Sequence, residues 1–273
     1  MTPAVSAVAL ASGVTLSYAA TGDRSGPVVV LLPGPTDSWR SYAPVLAALP
    51  SSVRAIAVSQ RGHGDSGKPA TGYGVEDFAA DVVALLDALG IERACLAGHS
   101  GSCLVARRVA IDHPERVDGL ALEASPTTLR GDEALTGLVE SVVASLQEPI
   151  DPAFARSFLA DTSTGKLAPE LRDQLVDELL KVPPRVWKEM FAGLLAYDDL
   201  AELGGITAPT LLVWGDADRV VRRDMQDMLR ARIPGAELLV YGGIGHTPRW
   251  EDAKRFAADL ATFVDRVRRF RIG

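Results

Sequence analysis

The first 125 residues alternate between short apolar runs and stretches whose apolar residues recur at helical spacing. Continuous apolar runs of four to eight residues are typical of strands that are buried on both faces. Their alternation with helical stretches predicts a mostly parallel sheet covered by helices on both faces. The predicted strands are residues 27–33, 53–58, 93–97 and 117–123, preceded by a hairpin around Gly13 with arms SAVAL and VTLSYAA.

The clearest predicted helix covers residues 75–90 and ends at Gly90, a residue that commonly terminates helices. One face of it is apolar, through Phe78, Val82, Leu85, Leu86 and Leu89. The same alternation returns after residue 205, with strands in APTLLVWG and AELLVYG and a helix near 221–232 between them. A last helix repeats apolar residues at Phe256, Leu260, Phe263, Val264 and Val267.

Residues 126–205 have a different character. Strand-like runs are absent, and four amphipathic stretches are separated by EPIDP, TGKLAP and KVPPR. We therefore predict an α/β core formed by residues 1–125 and 206–273, with a mostly parallel central sheet. Residues 126–205 are predicted to be a helical cap inserted into that core.

Composition narrows the classes of partner. The chain has 273 residues, 47% of them hydrophobic, and a formal net charge of −7. An acidic protein is not attracted to nucleic acid or to an anionic membrane, so we expect neither as a partner. We expect a small-molecule substrate instead, and the sequence allows a homo-oligomer. No run approaches the ~20 apolar residues of a membrane span, and the first residues lack the charged and apolar parts of a signal peptide, so we expect a cytoplasmic protein.

The two cysteines are too few for a disulfide framework. Cys95 lies in a predicted strand and Cys103 early in a predicted helix. We expect both to be reduced thiols that pack as small apolar side chains. A nucleophilic Cys103 is the less favoured alternative, since an apolar site raises the pKa of a thiol.

Candidate chemistry appears in RACLAGHSGSCLVARR, residues 93–108, where a predicted strand runs directly into a predicted helix. Such a sharp turn needs small neighbours and exposes the side chain at its apex, which here is Ser100. Gly98 precedes Ser100 by two residues, and Ser102 stands where the G-x-S-x-G pattern has its second glycine. A chemically inert glycine-rich turn is the alternative interpretation.

A serine hydroxyl needs a base to take its proton and an acid to orient that base. His246 follows a predicted strand and so lies at the sheet edge where ligands bind in α/β proteins. The other histidines are less suitable: we expect His99 to point away from the apex, His113 to end a helix and His63 to lie in the loop RGHGDSG. For the acid, the segment LLVWGDADRVV offers Asp216 and Asp218.

The chain resembles the α/β-hydrolase superfamily, in the branch of lactonases, esterases, C–C bond hydrolases and cofactor-free haloperoxidases. The resemblance covers nearly the whole chain through LLPGPTDSW, RGHGDSGKP, GHSGS, WGDADRVV and GHTPRWED. It implies an acyl-enzyme formed on Ser100, with His246 as the base and Asp218, the third residue after the glycine of the WGxxD segment, as the acid. It implies no metal or organic cofactor. Epoxide hydrolases and haloalkane dehalogenases would need a carboxylate at position 100.

The expected oxyanion hole departs from the family pattern. The amide of Gly101, directly after the nucleophile, is the first expected donor. The family takes its second donor from the residue after an HG pair, but this chain reads Pro33-Gly34-Pro35, and proline has no N–H. We expect the loop around Pro35 to be shifted so that Thr36 or Gly34 donates its amide, or a side chain of Thr36 or Ser38 to help.

The pocket is expected between the Ser100 edge of the sheet and the cap. Its candidate lining residues, each of which can equally be core, are Trp39, Leu135, Leu138, Val142, Phe158, Trp187, Met190, Phe191 and Leu194. Together they indicate a small, largely apolar ester or lactone. The alternatives are a C–C bond hydrolase or a haloperoxidase-like enzyme with the same three residues, and a slow-turnover ligand-binding protein of the receptor-like kind, which Pro35 keeps open.

Overall fold

The computed structural model describes residues 3–164 and 167–272, and in these residues the chain forms an eight-stranded sheet. The strands are β1 (Ala4–Ala9), β2 (Thr15–Thr21), β3 (Val28–Leu32), β4 (Arg54–Val58), β5 (Ala94–His99), β6 (Val117–Glu123), β7 (Thr210–Gly215) and β8 (Glu237–Tyr241). Their spatial order is β1-β2-β4-β3-β5-β6-β7-β8. The β1–β2 and β2–β4 pairs are antiparallel and the others parallel, which confirms the predicted fold class.

Helices occupy about half of the remaining described chain. They are α1 (Ala43–Ala48), α2 (Val75–Ala88), α3 (Ser102–Asp112), α4 (Glu133–Ser141), α5 (Pro152–Asp161), α6 (Pro169–Leu180), α7 (Pro184–Ala196), α8 (Arg223–Arg232), α9 (Pro248–Glu251) and α10 (Ala253–Ile272). The four helices α4 to α7 follow β6 and precede β7, where the sequence has its four amphipathic stretches. Their status as a separate cap domain stays a prediction. No helix in the described ranges combines the length and apolar character that a membrane span requires.

Helix α2 shows how local sequence sets an element's limits. The Asp77 carboxylate accepts the amide of Gly74 at 3.0 Å, and Glu76 adds a second acid to the first turn, where negative charge is favoured by the helix dipole. The chain leaves the helix at Gly90 with a φ of 63°, a conformation that glycine adopts without strain. The helix predicted over residues 75–90 is thus observed as Val75–Ala88, and Gly90 turns the chain two residues after its last residue.

Both faces of the sheet are buried along its central strands β3 to β7, which explains the continuous apolar runs there. Along β3, Val30 and Leu32 join a cluster that includes α2 and α3, while Val29 and Leu31 join a second cluster that includes α1 and α10. Successive side chains of a strand point to opposite faces, so an uninterrupted apolar strand serves both clusters. Side chains of α5, α6 and α7 belong to the first cluster, so the helical segment packs on the α2 and α3 side of the sheet.

The strand order places the site. The chain passes from β3 to β4 on one side, and β5 then pairs with the other side of β3. The loops that leave β3 and β5 therefore diverge at the carboxyl edge and open a crevice between them. These two loops carry Pro35, Thr36 and Ser100.

A buried arginine ties both ends of the helical segment to the sheet. Arg107 of α3 is fully buried and forms a bidentate ion pair with Asp199, at 3.0 and 2.8 Å. The same guanidinium donates to the carbonyl oxygens of Pro126 at 2.8 Å and Thr127 at 2.7 Å. Arg107 thus holds both the segment that leads from β6 into the helical segment and the segment that leads back toward β7. Burial raises the pKa of Asp199.

Replacing Arg107 tests whether this side chain holds both ends of the helical segment to the sheet. Arg107→Met leaves Asp199 buried without a counterion, so the free energy of unfolding should fall by about 3–5 kcal/mol. The matched control is Arg223→Gln, which removes an exposed pair with Asp227 and should cost less than about 1 kcal/mol. Urea denaturation followed by circular dichroism measures both. Equal losses in the two variants would show that Arg107 does not hold these segments.

Candidate active site

Ser100 lies at the turn between β5 and α3 and has a φ of 52°, which is strained for a residue with a side chain. Its amide donates to the carbonyl of Glu123, the last residue of β6, at 2.9 Å. A Cβ at Gly98 would lie 2.7 Å from the carbonyl oxygen of Ser102, so the helix approaches the strand too closely for any other residue there. The turn predicted from the glycine pattern is therefore present and tightly packed.

Ser102 has a function that a second glycine would not supply. Its hydroxyl donates to the carbonyl of Pro33 at 2.6 Å and accepts from the Gln60 side chain at 2.8 Å. Gln60 also donates to the Pro33 carbonyl, at 3.1 Å. The departure from the usual motif thus holds the loop after β3 against the first turn of α3.

His246 and Asp218 meet directly. His246 follows β8, and its Nδ1 lies 2.9 Å from Oδ2 of Asp218. The other carboxylate oxygen of Asp218 accepts the amides of Val220 and Val221 at 2.8 and 3.0 Å, which fixes the carboxylate toward the ring. With Nδ1–H donated to Asp218, Nε2 of the imidazole is left as an acceptor.

Asp216, the second candidate acid, lies elsewhere. It is exposed, and its Oδ1 accepts the amide of Gly243 at 2.6 Å. This carboxylate therefore caps the loop after β8. Of the two candidates, Asp218 is the one that contacts the imidazole.

A cavity of about 420 Å³ brings the candidate residues together, within the range of small-molecule sites. Ser100, Gly101, Pro35, Thr36 and His246 all lie in its wall. Apolar side chains form most of the remaining wall, and α4, α5, α7 and α8 contribute eight of them: Ala134, Leu135, Leu138, Phe158, Leu159, Phe191, Leu194 and Met225. Charged side chains Asp37, Asp132, Asp161, Arg219 and Arg222 also line it.

The proline in the loop after β3 lies beside the residue that follows Ser100. The ring of Pro35 lies against Gly101, where an added Cβ would come within 2.9 Å of Pro35 Cγ. Thr36 is buried and has a φ of 74°, so the backbone is turned at the residue after the proline. The amides of Thr36 and Gly101 donate to no acceptor in the described chain. Two residues of the cavity wall, Thr36 and Gly101, therefore have free amides in the described chain.

Gly34 and Ser38, which the sequence also offered as donors from this loop, have other contacts. A Cβ on Gly34 would lie 2.4 Å from Nδ1 of His99, so this glycine is needed for close packing. The hydroxyl of Ser38 accepts the amide of Arg40 at 3.2 Å and begins a short 3₁₀ helix, Trp39–Tyr42. Neither Gly34 nor Ser38 is among the described residues that line the cavity.

The predicted lining residues divide into two groups. Leu138, Phe158 and Phe191 line the cavity, as do Leu135 and Leu194. Trp39, Val142, Trp187 and Met190 are not among the described lining residues. Apolar periodicity shows that a side chain faces away from water, but it does not distinguish a protein neighbour from a ligand.

Trp187 and Met190 face the interior of the helical segment. The Trp187 ring is fully buried against Phe154, Phe158 and Phe191, with ring centroids 4.9–5.8 Å apart. Met190 belongs to the same apolar cluster. Both stand behind residues of the cavity wall.

The remaining two residues also pack away from the cavity. Trp39 belongs to the cluster on the α1 and α10 side of the sheet, with the Arg40 guanidinium 4.7 Å from its ring. Val142 is half-buried at the carboxyl end of α4. Neither position puts its side chain in the described wall of the cavity.

His99 is not directed away from the site as expected. Its Nε2 lies 3.0 Å from the backbone carbonyl of His246, the two rings are 4.8 Å apart, and His99 lines the cavity. Burial and the nearby Arg249 hold the pKa of His99 well below its usual value, so the ring stays neutral. His63 is buried with its pKa lowered by burial to about 4, and His113 is half exposed near the end of α3.

A buried charge cluster near the site is absent from the sequence predictions. Arg249 is fully buried and lies 2.7 Å from Asp37 and 3.5 Å from Glu123. Its backbone amide also donates to Glu123 at 2.8 Å, and its Nε donates to Ser41 at 2.9 Å. In the sequence, this cluster is marked only by Arg249, the charged residue that follows GHTP. Its partners are more than 120 residues away along the chain, so no local pattern links them to it.

Neither cysteine is placed for nucleophilic chemistry. Both are buried, and burial raises the pKa of Cys103 to about 12 and that of Cys95 further still. The Cys103 thiol donates to the carbonyl of Gly98 at 3.1 Å. In the described ranges, no His, Cys, Asp and Glu side chains are grouped so as to hold a metal ion.

Comparison with known proteins places this geometry in a family. Residues 29–259 match the model of the Alpha/beta hydrolase family. A 2-hydroxy-6-oxononadienedioate/2-hydroxy-6-oxononatrienedioate hydrolase of Paraburkholderia phymatum is 31% identical over 247 residues, covering 85% of this chain and 83% of the relative. Epoxide hydrolase B of Mycobacterium tuberculosis is 37% identical over 118 residues, covering 42% of this chain and 33% of the relative.

Solved structures share the whole architecture. The enol-lactonase of Burkholderia xenovorans superposes with a TM-score of 0.85 at 24% identity, covering 95% of this chain and all of that one. The bromoperoxidase of Bacillus anthracis gives a TM-score of 0.86 at 23% identity, covering 96% and 100%. At this identity the likeness concerns the fold alone. The family match, which spans most of the chain, shows that this protein belongs to the Alpha/beta hydrolase family.

Proposed function

We propose that this protein is a serine hydrolase that cleaves an ester or lactone bond in a small, largely apolar substrate. The observation that carries the proposal is the 2.9 Å contact between His246 Nδ1 and Asp218, in a loop that shares one cavity with the strained Ser100. An alcohol beside an oriented imidazole is the arrangement that acyl transfer requires.

In the proposed mechanism, Nε2 of His246 takes the proton of the Ser100 hydroxyl as its oxygen attacks the substrate carbonyl. Asp218 stabilises the resulting imidazolium. The carbonyl oxygen becomes an oxyanion, which accepts the amides of Gly101 and Thr36, and each such donor contributes about 3 kcal/mol to catalysis. The imidazolium then protonates the departing alkoxide. Water, deprotonated by His246, then attacks the acyl-enzyme. The bond between the acyl carbon and Ser100 Oγ breaks, the imidazolium returns its proton to that oxygen, and the acid is released.

The cavity wall supports a neutral substrate. Apolar side chains form most of it, and its two arginines, Arg219 and Arg222, are accompanied by three aspartates, Asp37, Asp132 and Asp161. The Paraburkholderia relative is named for a dicarboxylate, and two carboxylates would require an excess of positive charge that this wall does not have. A neutral ester or lactone meets no such requirement.

Two alternatives are less well supported by the site. Epoxide hydrolysis in this superfamily uses a carboxylate nucleophile, whereas position 100 is serine. The ligand-binding alternative rests on Pro35, which has no backbone N–H to donate, but Thr36 follows it directly and has a free N–H in the described chain. The three proposed catalytic residues would equally serve a C–C bond hydrolase, and the cavity's lack of excess positive charge is what favours a neutral ester.

Labelling with a fluorophosphonate tests the nucleophile. Digestion after Arg93 and Arg107 yields residues 94–107, which contain both Ser100 and Ser102. We expect the probe on this peptide in the native protein and in Ser102→Ala, and no label in Ser100→Ala. Mass spectrometry with fragmentation locates the adduct, and an adduct on Ser102 or on another peptide would overturn the assignment.

The acid is tested by paired carboxamide substitutions. Asp218→Asn should lower kcat for p-nitrophenyl butyrate by about 10³- to 10⁴-fold, because an asparagine in this place favours the wrong imidazole tautomer. Asp216→Asn, in the same loop, should change kcat by less than about threefold, since Asp216 binds only the Gly243 amide in the described chain. Steady-state kinetics by p-nitrophenol release distinguishes the two, and the reverse result would assign Asp216 as the acid.

A further inference from the structure

Asp37 is a buried carboxylate in the wall of the cavity, and the mechanism proposed above leaves it unused. It directly follows Thr36, and only 8% of its surface is exposed. The other acidic residues of the wall, Asp132 and Asp161, are more exposed and belong to the helical segment. Asp37 is therefore the carboxylate on the sheet side of the cavity, beside the residues that are proposed to bind the substrate carbonyl.

The two oxygens of Asp37 have different surroundings. Oδ2 accepts from Arg249 at 2.7 Å and from the Ser41 hydroxyl at 3.1 Å. Oδ1 accepts from no donor in the described chain. Oδ1 is not among the described side-chain atoms that are buried without a partner, so it is accessible, and since Asp37 lines the cavity this oxygen is suited to a donor supplied by the contents of the cavity.

We infer that Asp37 binds a hydroxyl group of the substrate, and that the substrates of this enzyme are esters or lactones with a hydroxyl near the carbonyl carbon. The inference rests on the proposed function. Asp37 directly follows Thr36 and both residues line the cavity, so a group bound by Asp37 lies near a carbonyl oxygen bound by the Thr36 amide. A hydroxyl on the carbon next to the carbonyl meets this condition.

A neutral donor fits better than a cation. Arg249 is fully buried and lies closer to Asp37, at 2.7 Å, than to Glu123, at 3.5 Å. Oδ2 of Asp37 therefore already has a charged partner, and Oδ1 needs a hydrogen-bond donor rather than a second counterion.

Three methyl esters of one carbon skeleton test the inference: methyl 2-hydroxy-4-phenylbutanoate, its 2-methoxy analogue and methyl 4-phenylbutanoate. The methoxy group matches the electron withdrawal of the hydroxyl but has no proton to donate, and the unsubstituted ester controls for size. We expect kcat/KM for the hydroxy ester to exceed that for the methoxy ester by about 10- to 100-fold, the effect of one hydrogen bond to a charged group. Acid release measured by pH-stat gives the ratio.

Two variants separate recognition from structural support. In Asp37→Asn, Arg249 and Ser41 both need an acceptor, so the amide oxygen turns to them and the NH₂ group faces the cavity. The hydroxy-to-methoxy ratio should then fall to about one. The matched control is Ser41→Ala, which disturbs the same cluster but leaves Asp37 Oδ1 in place. It should lower kcat/KM for both esters alike and preserve the ratio.

The outcomes are distinct. A wild-type ratio near one, an unchanged ratio in Asp37→Asn or an equal loss of ratio in Ser41→Ala overturns the inference while the proposed function stands. If Asp37→Asn does not fold, the wild-type ratio decides alone. A 2-amino ester hydrolysed more than tenfold better than the hydroxy ester overturns the assignment of a neutral donor. If none of the esters is hydrolysed and Ser100 takes no fluorophosphonate, the proposed function fails and this inference fails with it.

Discussion

The arrangement of the candidate site depends on one fully buried guanidinium, that of Arg249. A charge in the protein interior is tolerated only when its partners are already in place. Those partners are Asp37 and Ser41 from the segment after β3 and Glu123 at the end of β6, while Arg249 itself lies three residues beyond His246. The need to pair this charge therefore fixes, relative to one another, the chain segments around the cavity.

Close backbone packing supplies the second constraint. Gly98 lies against the first turn of α3, Gly34 against the His99 ring and Gly101 against Pro35, each at a distance where a Cβ would clash. With these contacts in place, Ser100 and Thr36 are held at positive φ. Such conformations cost of order 1–3 kcal/mol each and persist only where the surroundings impose them. Here the imposed geometry leaves a hydroxyl and two free amides at the wall of one cavity.

The outcome for individual residues shows where pattern-based inference fails. Phe191 and Trp187 lie on the same amphipathic helix, yet Phe191 lines the cavity and Trp187 is enclosed by other rings. Their periodicity is the same, because it records only that both side chains avoid water. The sequence predicts that His99 points away from the site, but its Nε2 lies 3.0 Å from the His246 carbonyl oxygen. This contact joins segments 147 residues apart, which no local pattern relates.

By itself, the sequence determined the fold class, the strand and helix alternation and the sharp turn at Ser100, because these follow from local periodicity and from glycine's lack of a Cβ. The order of the motifs also indicated which histidine and aspartate to examine. Only the tertiary structure decided that Thr36 presents a free amide after Pro35, that Ser102 holds the loop after β3, and that Asp37 has one oxygen unpaired in the cavity. Each of these depends on contacts between residues far apart in the chain, whose geometry no local pattern encodes.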